Sequence, residues 1–353
     1  MKNRIKDAYN ELKKQRLDAL LITSDPNITY LTQYQSRDSY LLISKGGNIF
    51  FTDSRYTQEA QQKLKGLAQV CQVNGQIVKK IAQICAKSKI KHLGFEEKRL
   101  PYYQYRRIRD ALGNLTFLDP TSGIIENLRE IKDEGEAKFI RKAVEITAGA
   151  LKFIKPFIKA GRKEIEIAAE IERFIRYNKA QYSSFNIIVA SGPNTSFPHH
   201  ITSERKLQNN ESVLIDLGVD YKGYKSDLTR TFFLGKIQPL EKKIYNIVLE
   251  AQQRAIEQIK DSVRINTVDS AARKHIADKG YGKFFGHSLG HGIGLEIHET
   301  PTISPQESRK LRSGMIFTVE PGIYLPGKFG IRIEDMVLVT KKGCEVLSGT
   351  INK

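Results

Sequence analysis

The sequence is poor in cysteine and has no apolar run of the length that a membrane-spanning helix needs. Its three cysteines, Cys71, Cys85 and Cys344, are odd in number and never spaced as CxxC, which argues against a disulfide framework and a structural zinc knuckle. Every apolar run is shorter than the ~20 residues that cross a bilayer, and the N-terminal one is too short and interrupted for a signal peptide. We therefore expect a protein of the reducing cytoplasm without a membrane partner.

Acidic side chains are scarce relative to basic ones. The 353 residues include 39 Asp and Glu against 57 Lys and Arg, a formal net charge of +18. Such an excess can mark a nucleic-acid-binding protein. Here the basic residues are scattered over predicted helix faces, as in QQKLKG and LEKKIYN, and no arginine-rich arm is present. The sequence therefore predicts a solvated lysine-rich surface, weak polyanion binding at low salt, and no specific nucleic-acid partner.

Residues 1–125 alternate between strand and helix patterns, which is typical of an α/β domain. Apolar periodicity predicts, in chain order, helix 1–16, strands 18–23, 40–44 and 48–53, helices 55–66 and 76–88, and strand 92–96. The second and third strands are predicted to form a hairpin around Gly46-Gly47, and Pro120 is assigned to a loop that follows the domain. A chain of this length favours two domains, and we place the boundary at 125/126.

Residues 126–353 have a different pattern, with two long helices first and antiparallel strands afterwards. The predicted elements are helices 136–159 and 163–179, strands 186–190, 212–220 and 226–234, helices 238–260 and 267–279, and strands 315–320 and 331–340. Helices that flank a mostly antiparallel sheet predict an α+β domain.

Four carboxylates occupy apolar strand patterns of this second domain. Asp216 interrupts SVLIDLGVD, Asp227 begins the next strand after the turn sequence DYKGYK, Glu320 ends GMIFTVE, and Glu334 lies within GIRIEDMVLV. A buried carboxylate is costly unless it is paired or bound to a metal, and any one of them alone would indicate a structural ion pair. Together they predict a site where two divalent cations offset four negative charges, with His291 as a fifth ligand. Such oxygen-rich ligands suit Mn, Co, Fe or Zn.

The segment GHSLGHGIGLEIHET, residues 286–300, holds three of the seven histidines, His287, His291 and His298. Their spacing is not HExxH, which excludes the helical zinc-protease motif. The glycines lack the offsets and the lysine of a phosphate-binding loop. We expect Gly290 and Gly292 instead to let the backbone pack closely while His291 reaches a metal.

Four segments resemble the pita-bread-fold metallopeptidases, and most closely Xaa-Pro dipeptidase (prolidase) and aminopeptidase P. They are LIDLGVDYKGYKSDLTRTF, GHSLGHGIGLEIHE, FTVEPGIY and IRIEDMVLV. DPNITYLTQYQ and FTDSRY resemble the smaller domain that these enzymes carry, so the resemblance covers nearly the whole chain. It implies an α/β N-terminal domain followed by an α+β pita-bread catalytic domain. Gln33, where glycine is common, and the doubled histidine at His200 depart from the family pattern.

The resemblance assigns the five ligands to two metals. Asp216 resembles the ligand of one metal, and His291 with Glu320 resembles the ligands of the other. Asp227 and Glu334 resemble the carboxylates that bridge both. Manganese is the expected metal, with cobalt, zinc and iron as alternatives.

The resemblance also implies catalytic and substrate-binding roles for side chains outside the ligand set. The catalytic set is His298, His199, Glu320 and His287. The substrate-binding set is His199, His287, His298, Tyr324 and Arg332.

The resemblance implies hydrolysis of the peptide bond before proline by a metal-bridging hydroxide, which releases the N-terminal residue of Xaa-Pro peptides. An enzyme restricted to dipeptides is the first alternative, and an inactive family member that serves as a binding protein is the second. Methionine aminopeptidase is disfavoured by the large N-terminal domain and by His287. The resemblance further implies a homodimer.

Overall fold

The structure is a computed structural model that describes residues 4–349, 351 and 353. The chain divides into two compact units, Met1–Arg129 and Glu130–Lys353, called here the N-terminal and C-terminal units. The boundary expected at 125/126 falls inside a short helix, Ile124–Arg129. No helix among the described residues combines the length and the apolar character that a membrane crossing requires.

The N-terminal unit is an α/β sandwich around one mixed sheet. Its elements are α1 Arg4–Lys14, β1 Ala19–Ile22, α2 Asp25–Thr32, β2 Tyr40–Ser44, β3 Gly47–Thr52, α3 Thr57–Lys63, β4 Gln69–Gln72, α4 Ile77–Lys87, β5 His92–Glu96, α5 Tyr102–Leu112, β6 Phe117–Thr121 and α6 Ile124–Arg129. The strand order is β4-β3-β2-β1-β5-β6, and β2 runs antiparallel to both of its neighbours. The core lies between the sheet and helices α4 and α5.

Of two local predictions for this unit, the hairpin of β2 and β3 is confirmed with its turn one residue earlier than expected, and the loop at Pro120 is wrong. Ser44 pairs with Gly47, so the hairpin turns at Lys45-Gly46, and Gly47 is the first residue of β3. Pro120 lies in β6 rather than in a loop. Because β6 is the edge strand, a residue without an N–H is tolerated there.

The C-terminal unit carries two helix pairs and a set of antiparallel strands. Its elements are α7 Glu134–Ile154, α8 Glu164–Tyr177, β7 Tyr182–Ser183, β8 Ile188–Ser191, β9 Glu211–Leu217, β10 Val219–Tyr221, β11 Tyr224–Lys225, β12 Leu228–Leu234, α9 Pro239–Glu257, α10 Ile265–Asp278, β13 Gly290–Gly292, β14 Glu299–Ile303, β15 Ile316–Val319, β16 Gly322–Leu325, β17 Phe329–Arg332, β18 Asp335–Val339 and β19 Cys344–Val346. Sheets β12-β9-β8 and β14-β13-β15-β18-β19 carry most of the site. The main core joins α9 and α10 to the second sheet.

Two long strands predicted from continuous apolar runs are each broken in the structure. The strand expected at 212–220 stops at Gly218, where an added Cβ would lie 2.0 Å from both the Ser184 Oγ and the Ser226 carbonyl oxygen. The strand expected at 331–340 separates into β17 and β18, which belong to different sheets. Glu334 lies in that break rather than in a strand.

Candidate active site

A tight hairpin brings Asp216 and Asp227 together. In the β9–β12 ladder Asp216 pairs with Thr229, and Asp227 directly precedes the first residue of β12. The connecting β10–β11 hairpin turns at Lys222 and Gly223, both with positive φ, as a two-residue hairpin of type I′ requires. The side-by-side arrangement expected from DYKGYK is therefore confirmed in the backbone.

His291 lies on β13, the central strand between β14 and β15. An added Cβ at Gly290 would lie 1.9 Å from the Thr318 carbonyl oxygen, and one at Gly292 would lie 2.2 Å from the Thr300 carbonyl oxygen. Only glycine fits at either position, as expected from the sequence. The three strands can therefore approach closely and present the His291 ring to the acids.

Hydrogen bonds orient the His291 ring. Its Nδ1 lies 3.1 Å from the carbonyl oxygen of Gly292, an acceptor, so Nδ1 carries the proton. The lone pair of Nε2 then faces the acids, 3.4 Å from Glu320 Oε1 and 3.5 Å from Asp227 Oδ2. A ring nitrogen held in this tautomer is suited to metal coordination.

Asp227, His291 and Glu334 each direct a ligand atom to one point, and these atoms lie within 4.8 Å of one another. Burial raises the pKa of Asp227 well above its usual range, and the charges of Asp216 and Glu320 raise it further. Burial, and then the charge of Asp227, likewise raises the pKa of Glu334. Without a cation, burial and mutual repulsion therefore disfavour the charged forms of these carboxyl groups.

Unpaired oxygen atoms provide a test of whether divalent metal fits this cluster. Among the described residues, Asp216 Oδ1 and Asp227 Oδ1 are buried without a hydrogen-bond partner. Buried polar atoms normally have partners, and a carboxylate oxygen without one is suited to coordinate a cation. The donor set of carboxylates and one imidazole fits a divalent metal.

The buried Arg332 is hydrogen-bonded to Asp216 directly and to Glu334 through Thr229. Its Nη2 donates to Asp216 Oδ2 at 2.7 Å, and its Nε donates to Thr229 Oγ1 at 3.0 Å. The Thr229 hydroxyl in turn donates to Glu334 Oε2 at 2.7 Å. This buried guanidinium therefore leaves Asp216 Oδ1 as that residue's free oxygen.

A second chain of hydrogen bonds leads from Arg332 to His287. Arg332 Nη1 donates to the Tyr324 hydroxyl at 2.9 Å, and that hydroxyl lies 3.1 Å from His287 Nε2. His287 Nδ1 lies 2.8 Å from the Ser288 carbonyl oxygen, so Nδ1 donates and Nε2 accepts. Burial lowers the pKa of His287. His287 is therefore a neutral ring that carries its proton on Nδ1.

The acids open onto a cavity of about 620 Å³. Nine of the ten site residues expected from the sequence line it: His199, Asp216, Asp227, His287, His291, His298, Glu320, Tyr324 and Arg332. The tenth, Glu334, is 2% exposed and lies outside the lining. The His298 ring packs edge-on against His291, with centroids 4.3 Å apart. Desolvation by burial is the main cause that lowers the pKa of His298.

Two threonines of the site were not predicted. Thr318 accepts a hydrogen bond from the His291 N–H at 3.1 Å and donates to Glu320 Oε1 at 3.1 Å. Thr229 connects Arg332 to Glu334 as described above. Strand periodicity could have indicated Thr318, because residues two apart on a strand share a face. The partners of Thr229 lie more than 100 residues away, and no local pattern reveals them.

The raised carboxyl pKa values predict that metal binding depends on pH. A raised pKa means that Asp227 and Glu334 retain protons to higher pH than ordinary carboxyls, and a cation must displace those protons. We expect the apparent Kd for Mn²⁺ to fall as pH rises, by about tenfold per pH unit for each proton displaced. Calorimetric titration in buffers of different ionisation enthalpy counts the protons. Binding without proton release would contradict this reading.

Comparison with known proteins agrees with this geometry. Residues 138–341 match the metallopeptidase family M24, and residues 4–131 match the creatinase/prolidase N-terminal domain. A solved Xaa-Pro dipeptidase from Bacillus anthracis is similar, at 39% identity and a TM-score of 0.95 over 99% of this chain and 98% of that one. The X-Pro aminopeptidase structure from Thermotoga maritima MSB8 has 38% identity and a TM-score of 0.87, over 95% and 97%. The Xaa-Pro dipeptidase of Pyrococcus horikoshii is 36% identical over 99% of this chain and 98% of that protein.

The fold and the acid-rich cavity define a metallo-exopeptidase. The chain belongs to metallopeptidase family M24 and carries the creatinase/prolidase N-terminal domain in front of the catalytic domain.

Proposed function

We propose that this enzyme hydrolyses the peptide bond before proline and releases the N-terminal residue of Xaa-Pro peptides. The single observation that carries the proposal is the convergence of ligand atoms of Asp227, His291 and Glu334 within 4.8 Å of one another, with Asp227 and His291 lining the cavity. Dipeptides are the preferred substrates in this proposal, since the similar proteins from Bacillus anthracis and Pyrococcus horikoshii are described as Xaa-Pro dipeptidases. Longer peptides are the second candidate, supported by the similar X-Pro aminopeptidase from Thermotoga maritima.

Five side chains would hold two divalent cations, with manganese favoured over cobalt, zinc and iron. Asp216 would serve one cation, His291 and Glu320 would serve the other, and Asp227 and Glu334 would serve both. When bound, the cations supply Lewis acidity and water of lowered pKa at neutral pH. The unpaired oxygens of Asp216 and Asp227 support this assignment.

Proton transfer and charge stabilisation are assigned to side chains around the acids. Glu320, part-buried beside His291, takes the proton of the attacking water and passes it to the leaving nitrogen. His298 donates an N–H to the oxyanion that develops on the carbonyl oxygen, which the neutral imidazole can do. His287, with its Nε2 occupied by the Tyr324 hydroxyl, contacts the substrate beside the scissile bond.

Apolar side chains in the same cavity suit a proline ring. Phe185, Ile188 and Ile297 line it together with His199. Proline has no amide hydrogen, so a site that holds the ring by packing does not depend on that hydrogen bond. The histidines and the apolar wall therefore support recognition of proline by shape.

A peptide panel tests the proposed function. The metal-loaded enzyme is offered Ala-Pro, a tripeptide with proline second, and a Met-Ala tripeptide, and the released amino acids are quantified. We expect hydrolysis of the prolyl peptides, fastest for Ala-Pro, and little for the Met-Ala peptide. A preference for the prolyl tripeptide would favour the aminopeptidase alternative. Hydrolysis of Met-Ala alone, or of no peptide, would overturn the proposal.

Two further properties belong to the same proposal. We expect a homodimer, on the resemblance to dimeric family members, and a cytoplasmic location. The three free cysteines suit a reducing compartment.

A further inference from the structure

Gln252 is a fully buried glutamine in the middle of α9, on the face that packs into the main core of the C-terminal unit. A buried amide is costly without partners. Its Nε2 donates to two main-chain carbonyl oxygens, Val319 O at 3.0 Å and Ile333 O at 3.1 Å. These residues directly precede Glu320 and Glu334. One amide group therefore contacts the backbone beside two of the five proposed ligands.

The contacts of Gln252 allow one orientation of its amide. Its Oε1 accepts a hydrogen bond from Lys353 Nζ at 2.6 Å. The ammonium can only donate and the two carbonyls can only accept, so a flipped amide would lose every partner. The NH₂ group thus has one hydrogen for each carbonyl oxygen, and the orientation of the Gln252 amide is fixed.

The peptide groups that Gln252 contacts are held at both ends. In the Val319–Glu320 peptide group, the Glu320 N–H donates to the Leu289 carbonyl oxygen at 2.8 Å. In the Ile333–Glu334 peptide group, the Glu334 N–H donates to the Thr229 carbonyl oxygen at 3.1 Å. Since Gln252 binds the carbonyl end of each group, both peptide planes are fixed directly before the glutamate Cα atoms.

Glu320 and Glu334 lie opposite each other between two strand ladders. The β15–β18 ladder ends at the Val319–Asp335 pair, and the β16–β17 ladder begins at the Gly322–Arg332 pair. Between them the Ile333 N–H donates to the Pro321 carbonyl oxygen at 3.5 Å, and Pro321 has no N–H to return the bond. The Gln252 amide supplies one donor to the Ile333 carbonyl oxygen and a second to that of Val319, so it reinforces the pairing directly beside the two ligands.

We infer that Gln252 is a positioning residue for the metal site, which reinforces the separation of Glu320 and Glu334 and thereby the affinity mainly for the cation that His291 would bind. The inference rests on the proposed function, which assigns both glutamates to the cation that His291 binds. The other cation keeps Asp216 and Asp227, and it uses only Glu334 of the two glutamates. Loss of the Gln252 bridge should therefore weaken the two cations unequally.

Gln252→Met tests this inference because methionine matches the length of glutamine and lacks the donor. Mn²⁺ is titrated into metal-free protein by calorimetry, with elemental analysis of the bound metal. We expect one cation to bind about 10–100-fold more weakly and the other, which uses only one of the two glutamates, to be weakened less. We also expect excess Mn²⁺ to restore kcat, with the KM for Ala-Pro unchanged. The matched control is Gln253→Met, at an exposed glutamine of the same helix, which should change neither cation.

Every outcome of the titration decides the inference. If folded Gln252→Met binds both cations with the affinity of the unchanged protein, or loses the same factor in affinity for both, the inference is wrong. If that variant fails to fold, Gln252→Glu keeps the shape and the Lys353 contact and receives the same titration. If neither variant folds, Gln252 is a core element and the inference is wrong. If the unchanged protein binds no pair of cations, the proposed function itself fails, which is a separate result.

Discussion

Replacing Asp227 by asparagine should abolish peptide hydrolysis and, at the same time, stabilise the metal-free protein. The amide keeps the shape of the side chain and removes the charge that would be shared by two cations. Loss of several kcal/mol of transition-state stabilisation corresponds to a rate at least about 10³-fold lower. The rate of Ala-Pro hydrolysis at saturating Mn²⁺ measures this. An Asp227→Asn variant with full activity would contradict the ligand assignment.

The stability effect follows from the sign of the pKa shift. The pKa of Asp227 is raised in the folded protein, so this carboxyl stabilises the fold below its unfolded pKa and loses that contribution as pH rises toward the folded value. Above the unfolded pKa the metal-free protein therefore bears the cost of this carboxyl, as a buried charge or as a retained proton, and Asp227→Asn does not. We expect a gain on the order of 1 kcal/mol, about 2–4 °C in Tm. The exposed Asp278 provides the control Asp278→Asn, which should change neither Tm nor activity. A lower Tm for metal-free Asp227→Asn would refute this account of the acids.

Removal of divalent metal should reduce activity to background, and Mn²⁺ or Co²⁺ should restore it. Without cations, no group remains to activate water. Dialysis against EDTA followed by dialysis against buffer should lower the rate at least about 10³-fold. The test compares the rate before chelation, after it, and after addition of each metal.

The same experiment has a stability readout that is independent of substrate. A ligand that binds only the folded state stabilises it by about 2.7 kcal/mol at one hundred times its Kd. Mn²⁺ should therefore raise the Tm of metal-free protein, and His291→Ala should reduce that increase. Hydrolysis that persists after elemental analysis shows complete metal removal would favour a different chemistry.

The predicted fold agrees with the structure where apolar periodicity was strong. The strand expected at 40–44 is β2, Tyr40–Ser44, and the helix expected at 76–88 is α4, Ile77–Lys87. Helix α5, Tyr102–Leu112, was missed because only Ile108 and Leu112 of its eleven residues are buried, which leaves little apolar pattern. Weak burial also explains the missed edge strand β4. Apolar periodicity thus predicts the helices and strands that bury one whole side in the core, and it misses those that bury only a few side chains.

The site residues that the sequence makes conspicuous are those whose burial is chemically unusual. A charged residue in an apolar run is conspicuous in a sequence, and Asp216 and Glu334 were found that way. The strand break at Glu334 was missed, because Ile331, Ile333, Met336 and Val337 continue the apolar run through it. Gln252 was missed because its partners, Val319 and Ile333, are defined by tertiary packing.

The central claim is that residues far apart in the sequence together hold a pair of divalent cations. Equilibrium dialysis against Mn²⁺ at pH 8, followed by elemental analysis, counts the bound cations per chain directly. The account predicts two for the unchanged protein and fewer for His291→Ala, with the His92→Ala control in the N-terminal unit still binding two. An unchanged protein that retains no cation, or a folded His291→Ala that retains both with unchanged affinity, would contradict the claim.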